Sequence, residues 1–378
     1  MTNVGIISIN RYSKHLNYGA ALHTFAFQRY LDKHGVENTI IDFMPRFMKG
    51  YSMKYPFLTP PPKRRVARTA FWLVNAAPNL VKYQKFMKFF DLHYRSTATK
   101  YDEESLRNAI LPFDTVIFEA DVIWSPHTTV GFENAYFGNL PSMQGMNKIS
   151  YAASIGYTRF SEERQEQFRE LLKGVDHISL REVPGAEFAQ EFTDKPVTAV
   201  LDPTLLLDAE DYADVCVKPP EKGYVLVYNC LKNNMKMVRD AQKIAAARGL
   251  DVVEISVYIH NKRDHTTHVS PGIEQFLGYF ANADYVLTNA FHGLCFSTVF
   301  KKDFLAYARG TKDSRVTSLL GLLGLDEHFM PPKTHAPDLP PIDWDEVYVK
   351  LEEQRQISRD FLFNAINAGP RFDTEAVA

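Results

Sequence analysis

The five residues Asn289-Ala290-Phe291-His292-Gly293 follow an apolar run, Tyr285 to Thr288, and lead into a helical pattern. A strand that turns into a helix in this way carries an imidazole and free backbone N–H groups to its carboxyl end. Open α/β sheets bind ligands there, and a helix N-terminus favours anions. His292 in that position can hydrogen-bond a phosphate or act as a general acid near neutral pH; a core histidine satisfied by a backbone carbonyl is the alternative. Gly293 beside it strengthens the functional reading and is taken as a further substrate-binding candidate.

Other residues share the same kind of address. Arg181 follows the strand pattern Asp176 to Leu180, and Lys312 and Arg315 lie on the loop and first turn after Phe304 to Tyr307. Each can be a ligand cation or a solvated surface charge, Arg181 in particular pairing with Glu182. Asn17, Tyr18 and Gly19 stand where the first helix begins; Gly19 permits close approach of a ligand, and Asn17 can equally be a plain N-cap. Asp121 and Glu119 end a strand, where Asp121 can face a cleft or cap the turn before Trp124. Asp202 before Pro203 reads as a turn former.

These positions imply a definite order of elements. Asn3 to Ile9, a helix Asn17 to His34 and Thr39 to Phe43 make a βαβ opening, and Thr115 to Ala120, Lys148 to Ser154, Asp176 to Leu180 and Val197 to Leu201 are further short apolar strands. A second alternation runs from Tyr224 to Leu323, with helices at Asn234 to Arg248, Ile273 to Ala283, Leu294 to Phe300 and Ser314 to Leu323. Strands alternating with helices of this length imply parallel sheets. The expected architecture is α/β: two Rossmann-like domains, 1–206 and 207–330, then a proline-rich linker and a terminal helix within 331–378 that returns to the first domain. The donor or anion side is expected in the second domain and the acceptor side in the first.

Composition narrows the function classes. A net charge of -2 with 23% charged residues gives no global field for nucleic acid or membranes, so an anion site has to be local. Three widely spaced cysteines, Cys216, Cys230 and Cys295, form no C-x-x-C pair, which argues against a disulfide framework or zinc ribbon and fits a reducing cytoplasm. Neither a signal-peptide pattern nor an apolar run of membrane-spanning length is present, so a cytoplasmic protein is expected. His260, Asp264, His265 and His268 form only a loose cluster in a polar loop, and metal binding is not expected of it.

Taken in order, Asn17-Tyr18-Gly19-Ala20-Ala21-Leu22, Phe113-Asp114 to Asp121 with Trp124, Ser150-Tyr151-Ala152-Ala153-Ser154, Ser179-Leu180-Arg181-Glu182, Leu201-Asp202-Pro203-Thr204 and Asn289 to Gly293 resemble the polysaccharide pyruvyl transferase family, from about Asn3 to Leu325. The resemblance implies a GT-B-like fold and transfer of the pyruvyl group of phosphoenolpyruvate to saccharide hydroxyls, commonly as a cyclic ketal, with no cofactor and no metal. It also implies roles: Arg181 clamps the donor's carboxylate or phosphate, His292, Lys312 and Arg315 join it, and Asp121 or Glu119 takes a hydroxyl proton. Two positions depart from the family pattern. Ala290 stands where Ser is usual, and Glu119-Ala120 where Gly-Ser is usual.

Between Lys49 and Phe90 the chain has nine lysines and arginines and no acidic residue, interleaved with aromatics. That stretch suits a lipid-linked acceptor or the anionic inner face of the plasma membrane; a solvated edge with its aromatics in the core is the plainer account. Nucleic acid is not expected, because no reading motif accompanies the charge. Two other functions fit the same plan: a nucleotide-sugar glycosyltransferase, which would want an acidic residue after His292 that Gly293 to Lys302 lacks, and a non-catalytic sugar or anion binder.

Overall fold

The computed structural model describes residues 2–54, 65–156, 159–230, 234–256, 265–308, 314–331, 334, 336–337 and 339–369, with the backbone alone over 65–75. The first lobe holds strands β1 (Val4–Ile7), β2 (Asn38–Phe43), β3 (Ser96–Tyr101), β4 (Thr115–Glu119), β5 (Asn147–Ala153), β6 (His177–Leu180) and β7 (Val197–Ala199). They form one parallel sheet in the order β3-β2-β1-β4-β5-β6-β7. Its helices are α1 (Tyr18–Lys33), α2 (Arg65–His93), α3 (Glu103–Arg107), α4 (Glu162–Leu172) and α5 (Val183–Gln190). The second lobe holds β8 (Tyr224–Asn229), β9 (Asp251–Ser256), β10 (Thr266–His268), β11 (Tyr285–Thr288), β12 (Phe304–Tyr307) and β13 (Phe329–Met330), with α6 (Met235–Arg248), α7 (Ile273–Asn282), α8 (Phe291–Val299) and α9 (Ser314–Leu323). This sheet is also parallel, in the order β10-β9-β8-β11-β12-β13.

The central strands β1, β4, β8 and β11 are buried at every residue, as unbroken apolar runs covered by helices on both faces should be. Strand order reverses between β1 and β4 in one sheet and between β8 and β11 in the other. Each reversal opens a crevice at the strands' carboxyl ends. The two crevices face one another, which is the GT-B-like arrangement of two Rossmann-like lobes.

Helix α10 (Trp344–Asn367) runs back onto the first lobe, as expected. The Asn147 amide donates to Ala365 O at 2.7 Å, Leu201 N to Ser358 Oγ at 2.9 Å, and Arg355 to the carbonyls of Leu205 and Leu207. One apolar core is continuous across both lobes. At its centre Tyr18 stacks on Phe276, with ring centroids 4.4 Å apart and planes 8° from parallel, and donates its hydroxyl to Pro271 O at 2.8 Å.

Several elements differ from the sequence expectation. Edge strands β3 and β10 carry half-exposed polar residues and lack the apolar pattern of buried strands. Helix α2 has Pro78 in its interior, which hides its length. It also accounts for the part of the basic stretch from Lys82 onward. Phe86, Phe89 and Phe90 are core residues, Lys85 donates to Ser270 O and to Gln275 Oε1 in the second lobe, and Lys82 is buried above the Tyr18 ring. Burial pushes the Lys82 ammonium down to about 7. Residues 55–64 of the stretch lie outside the described residues. No helix among the described residues is long and apolar enough to cross a membrane.

Candidate active site

A cleft of about 410 Å³ lies between the two sheet ends. Arg181, Asp121 and Asn17 line it from the first lobe, and His292, Ala290 and Arg315 from the second. Lys14, His15 and His127 add basic groups at its first-lobe wall; nothing in their local sequence marked them. Glu119, Tyr18, Gly19 and Gly293, named as substrate contacts from the sequence, do not line the cleft. Lys312 lies outside the described residues.

His292 is the second residue of α8, which begins at Phe291 rather than at Leu294 as the sequence pattern suggested. Ala290 is extended and serves as N-cap without a side-chain hydrogen bond, so the Ser usual at this position would have had a hydroxyl to offer. Gly293 fits this turn against β11: a Cβ there would lie 2.1 Å from Thr288 Oγ1. Gly19 has the same function across the lobes, since a Cβ on it would lie 2.0 Å from His292 Nδ1. The close approach expected of Gly19 is therefore made by the imidazole of the other lobe, not by a ligand. Asn17 is the N-cap of α1, accepting from Gly19 N at 2.9 Å, and its side of the helix end faces the cleft.

Arg181 extends from the end of β6 into this region and is 5% exposed. Its Nη1 donates to Asp202 Oδ2 at 2.7 Å, and its guanidinium lies over the Phe291 ring at 4.4 Å. Glu182 is 4.0 Å from Nε, too far for a hydrogen bond, and its own Oε1 accepts from Ser154 Oγ at 2.8 Å. Nε and Nη2 are buried without a partner among the described residues. Burial works against the guanidinium charge, but Asp202, Glu182 and Asp121 outweigh it and leave Arg181 more firmly protonated than usual.

Asp202 does more than form a turn. Its Oδ1 accepts from Thr204 N and Oγ1, as the turn requires, while Oδ2 holds Arg181 and stands 3.6 Å from His292 Nε2. Burial alone would raise this carboxyl; His292, Arg181 and His23 together hold it well below the usual range, with Arg181 at hydrogen-bond distance as the permanent charge. For His292 the largest effect is burial, opposed by Asp202 and reinforced by Arg181 and His23, and the imidazole is pushed below its ordinary value.

Of the two first-lobe carboxylates, Asp121 sits on strained backbone just past Glu119, the last residue of β4. Ala120 and Asp121 both have positive φ, 46° and 50°, and neighbouring Ala152 has 54°. Conformations of this kind cost about 1–3 kcal/mol each and persist where the surroundings over-determine them. Here they turn the chain out of β4: Ala120 N donates to Tyr151 O and Ser154 N to Asp121 O, both at 2.8 Å. Asp121 Oδ1 accepts from Val122 N at 2.9 Å, so the turn-capping account holds for one oxygen while the residue also lines the cleft. Glu119 points the other way. It is fully buried, with Oε1 2.7 Å from His23 Nδ1 and Oε2 accepting from Thr24 Oγ1 at 2.8 Å. It is no cleft base. His23 had no signature in the sequence beyond being a histidine four residues after Gly19, on the same face of α1.

Two members of the loose histidine cluster are paired with carboxylates, His265 Nε2 at 2.8 Å from Glu254 and His268 Nε2 at 2.7 Å from Glu221, while His260 and Asp264 lie outside the described residues. Among the described residues no cluster of three metal-binding side chains occurs.

The model of the polysaccharide pyruvyl transferase family matches residues 17–311 of the chain. No curated protein matches it. Among solved structures, UDP-GlcNAc 2-epimerase of Methanocaldococcus jannaschii, in complex with UDP-GlcNAc and UDP, is similar at 12% identity over 97% of this chain and 100% of its own, with a TM-score of 0.48. The UDP-N-acetylglucosamine 2-epimerase of Rickettsia bellii is similar at 10% identity over 97% and 98%, with a TM-score of 0.43. The E. coli heptosyltransferase WaaC with ADP is similar at 13% over 93% and 99%, with a TM-score of 0.41.

Proposed function

The chain belongs to the polysaccharide pyruvyl transferase family, an enzyme family moving a pyruvyl group to polysaccharide hydroxyls, and from that premise we propose how its cleft performs the transfer. The observation that supports the assignment of groups is the Arg181 fork: one nitrogen is fixed by Asp202 and the other two, both buried, have no hydrogen-bond partner among the described residues, beside the imidazole of His292. A planar fork of this kind is suited to a carboxylate or phosphate. Phosphoenolpyruvate carries both.

In the proposed reaction the donor lies between Arg181 and His292, with Arg315 on its second-lobe side. Burial biases His292 towards its neutral form in the free cleft; the donor's negative charge restores its proton affinity and makes it a general acid. It delivers a proton to the methylene carbon, which becomes a methyl group while C2 becomes electrophilic. A saccharide hydroxyl attacks C2, and Asp121 takes its proton. The bond from C2 to the phosphate oxygen breaks, and a second hydroxyl closes the ketal, its proton leaving with the phosphate. Arg181 offsets charge on the departing group.

The acceptor is placed on the first-lobe side, along Lys14, His127 and Asp121. Of these, the cationic Lys14 and the imidazole of His127 suit an acceptor presented on a lipid phosphate at the cytoplasmic face of the membrane, the finer form of this proposal. Phosphate release from phosphoenolpyruvate with candidate glycans tests the reaction: the parent turns over, and His292→Ala and Arg181→Ala do not while remaining folded. Heat protection by a UDP-sugar, with no response to phosphoenolpyruvate, overturns it.

A further inference from the structure

Behind the cleft, His23 and Glu119 form a fully buried pair that nothing in the proposed reaction uses. A buried ion pair rarely adds stability over apolar residues of the same volume, so its presence calls for another account. The geometry is specific. Each side-chain oxygen of Glu119 is held from α1, one by His23 Nδ1 at 2.7 Å and the other by the Thr24 hydroxyl at 2.8 Å. The imidazole is thereby fixed in rotation. Its Nε2 is buried without a hydrogen-bond partner among the described residues and stands 3.9 Å from Asp121 Oδ2. Its ring lies against the ring of His292, with centroids 5.9 Å apart and planes 24° from parallel. Since Gly19 and His23 are one helical turn apart, α1 forms a shelf on which the His292 ring rests, with Gly19 beneath and His23 alongside.

We propose that His23, locked by Glu119, is a positioning residue that carries a fixed positive charge behind the cleft, turning Asp121 Oδ2 inward and keeping the adjacent His292 neutral until donor arrives. The groups facing His23 are Glu119 and Asp121 from the end of β4, Thr24 on its own helix, Asp202 from the turn after β7 and His292 from α8. Burial opposes the His23 charge, but Glu119 foremost, then Asp121 and Asp202, outweigh it and raise its proton affinity. Glu119 and His23 therefore work as a matched couple.

The inference rests on the proposed roles of Asp121 and His292, and its test separates the two. Because His23→Ala would strand a buried carboxylate, the informative protein is His23→Gln/Glu119→Gln, which keeps a hydrogen bond and removes both charges. The positive end of the pair is the end against His292. Its removal is expected to raise the His292 titration midpoint, read by imidazole NMR on the free protein, by about half a unit or more, roughly threefold in proton affinity. In turnover, kcat is expected to fall about tenfold with KM for phosphoenolpyruvate within about twofold, since binding groups are untouched. A folded double variant whose His292 midpoint stays put, or whose kcat is that of the parent, overturns the proposal. A parent that does not consume phosphoenolpyruvate sinks the reaction instead, while the NMR titration still decides the role of His23.

Discussion

The carboxyl ends of β4 and β11 face each other across the cleft and are built by opposite means. The β4 end is strained, with two consecutive left-handed residues and two carboxylates aimed in different directions, one to the cleft and one into the core. The β11 end is relaxed: an extended Ala290, a helix starting at once and a histidine in its first turn. A helix N-terminus directs donors outward without distortion, whereas directing a carboxylate out of a strand needs a bend in the chain. The strained side is thus expected to be the one tuned for the acceptor, the relaxed side the one that holds the anionic donor.

Removing His292 should do the most damage. His292→Ala is expected to lower kcat by roughly 10²–10⁴, read as phosphate release; an effect under tenfold would mean that the relaxed side contributes only contacts. Asp121→Asn should cost about 10²-fold in kcat with little change in KM for the donor. If KM for phosphoenolpyruvate rises instead, acceptor and donor sides have been assigned the wrong way round. Gly19→Ala pushes the His292 ring from its shelf, and a displacement near 1 Å is expected to cost up to about 10²-fold, with the melting temperature nearly retained if the ring moves into the cleft.

Two smaller effects concern charge. Asp202 titrates well below an ordinary carboxyl when folded, so its contribution is complete above the unfolded value of 3.8 and is lost as pH falls through the folded one. Melting curves from pH 5 to 2 should therefore be flatter for Asp202→Asn than for the parent. Lys82 has the opposite sense. Its folded value of about 7 lies under the unfolded 10.5, so the lysine is costly while charged. Lys82→Met should stabilise by about 1–3 kcal/mol below pH 7, with the gain fading towards pH 10.5; a loss at pH 6 would show that the stack on Tyr18 outweighs desolvation.

Strand ends were the legible part of the sequence. Buried runs such as Tyr285 to Thr288 announce a central parallel strand, and a polar residue just past one is placed at the crevice by topology alone, which is how His292, Arg181 and Asp121 were found. Arg315 was found the same way. Residues buried behind the cleft were not legible: Asp202 has the local pattern of a turn, and only its second oxygen, facing residues 181 and 292, reveals more. His23 lies within an otherwise ordinary helix, and its partner is 96 residues away. Tyr18 shows the converse failure, a motif residue whose ring is committed to the joint between lobes.

That joint has a mechanical consequence. Tyr18, Phe25 and Phe89 share one oily interior with Phe276, Phe280 and Phe296, so the halves are welded along the floor of the crevice rather than hinged on a bare linker. Heating should melt them in a single cooperative step. Swinging the halves apart would expose that shared interior to water and is disfavoured for this reason.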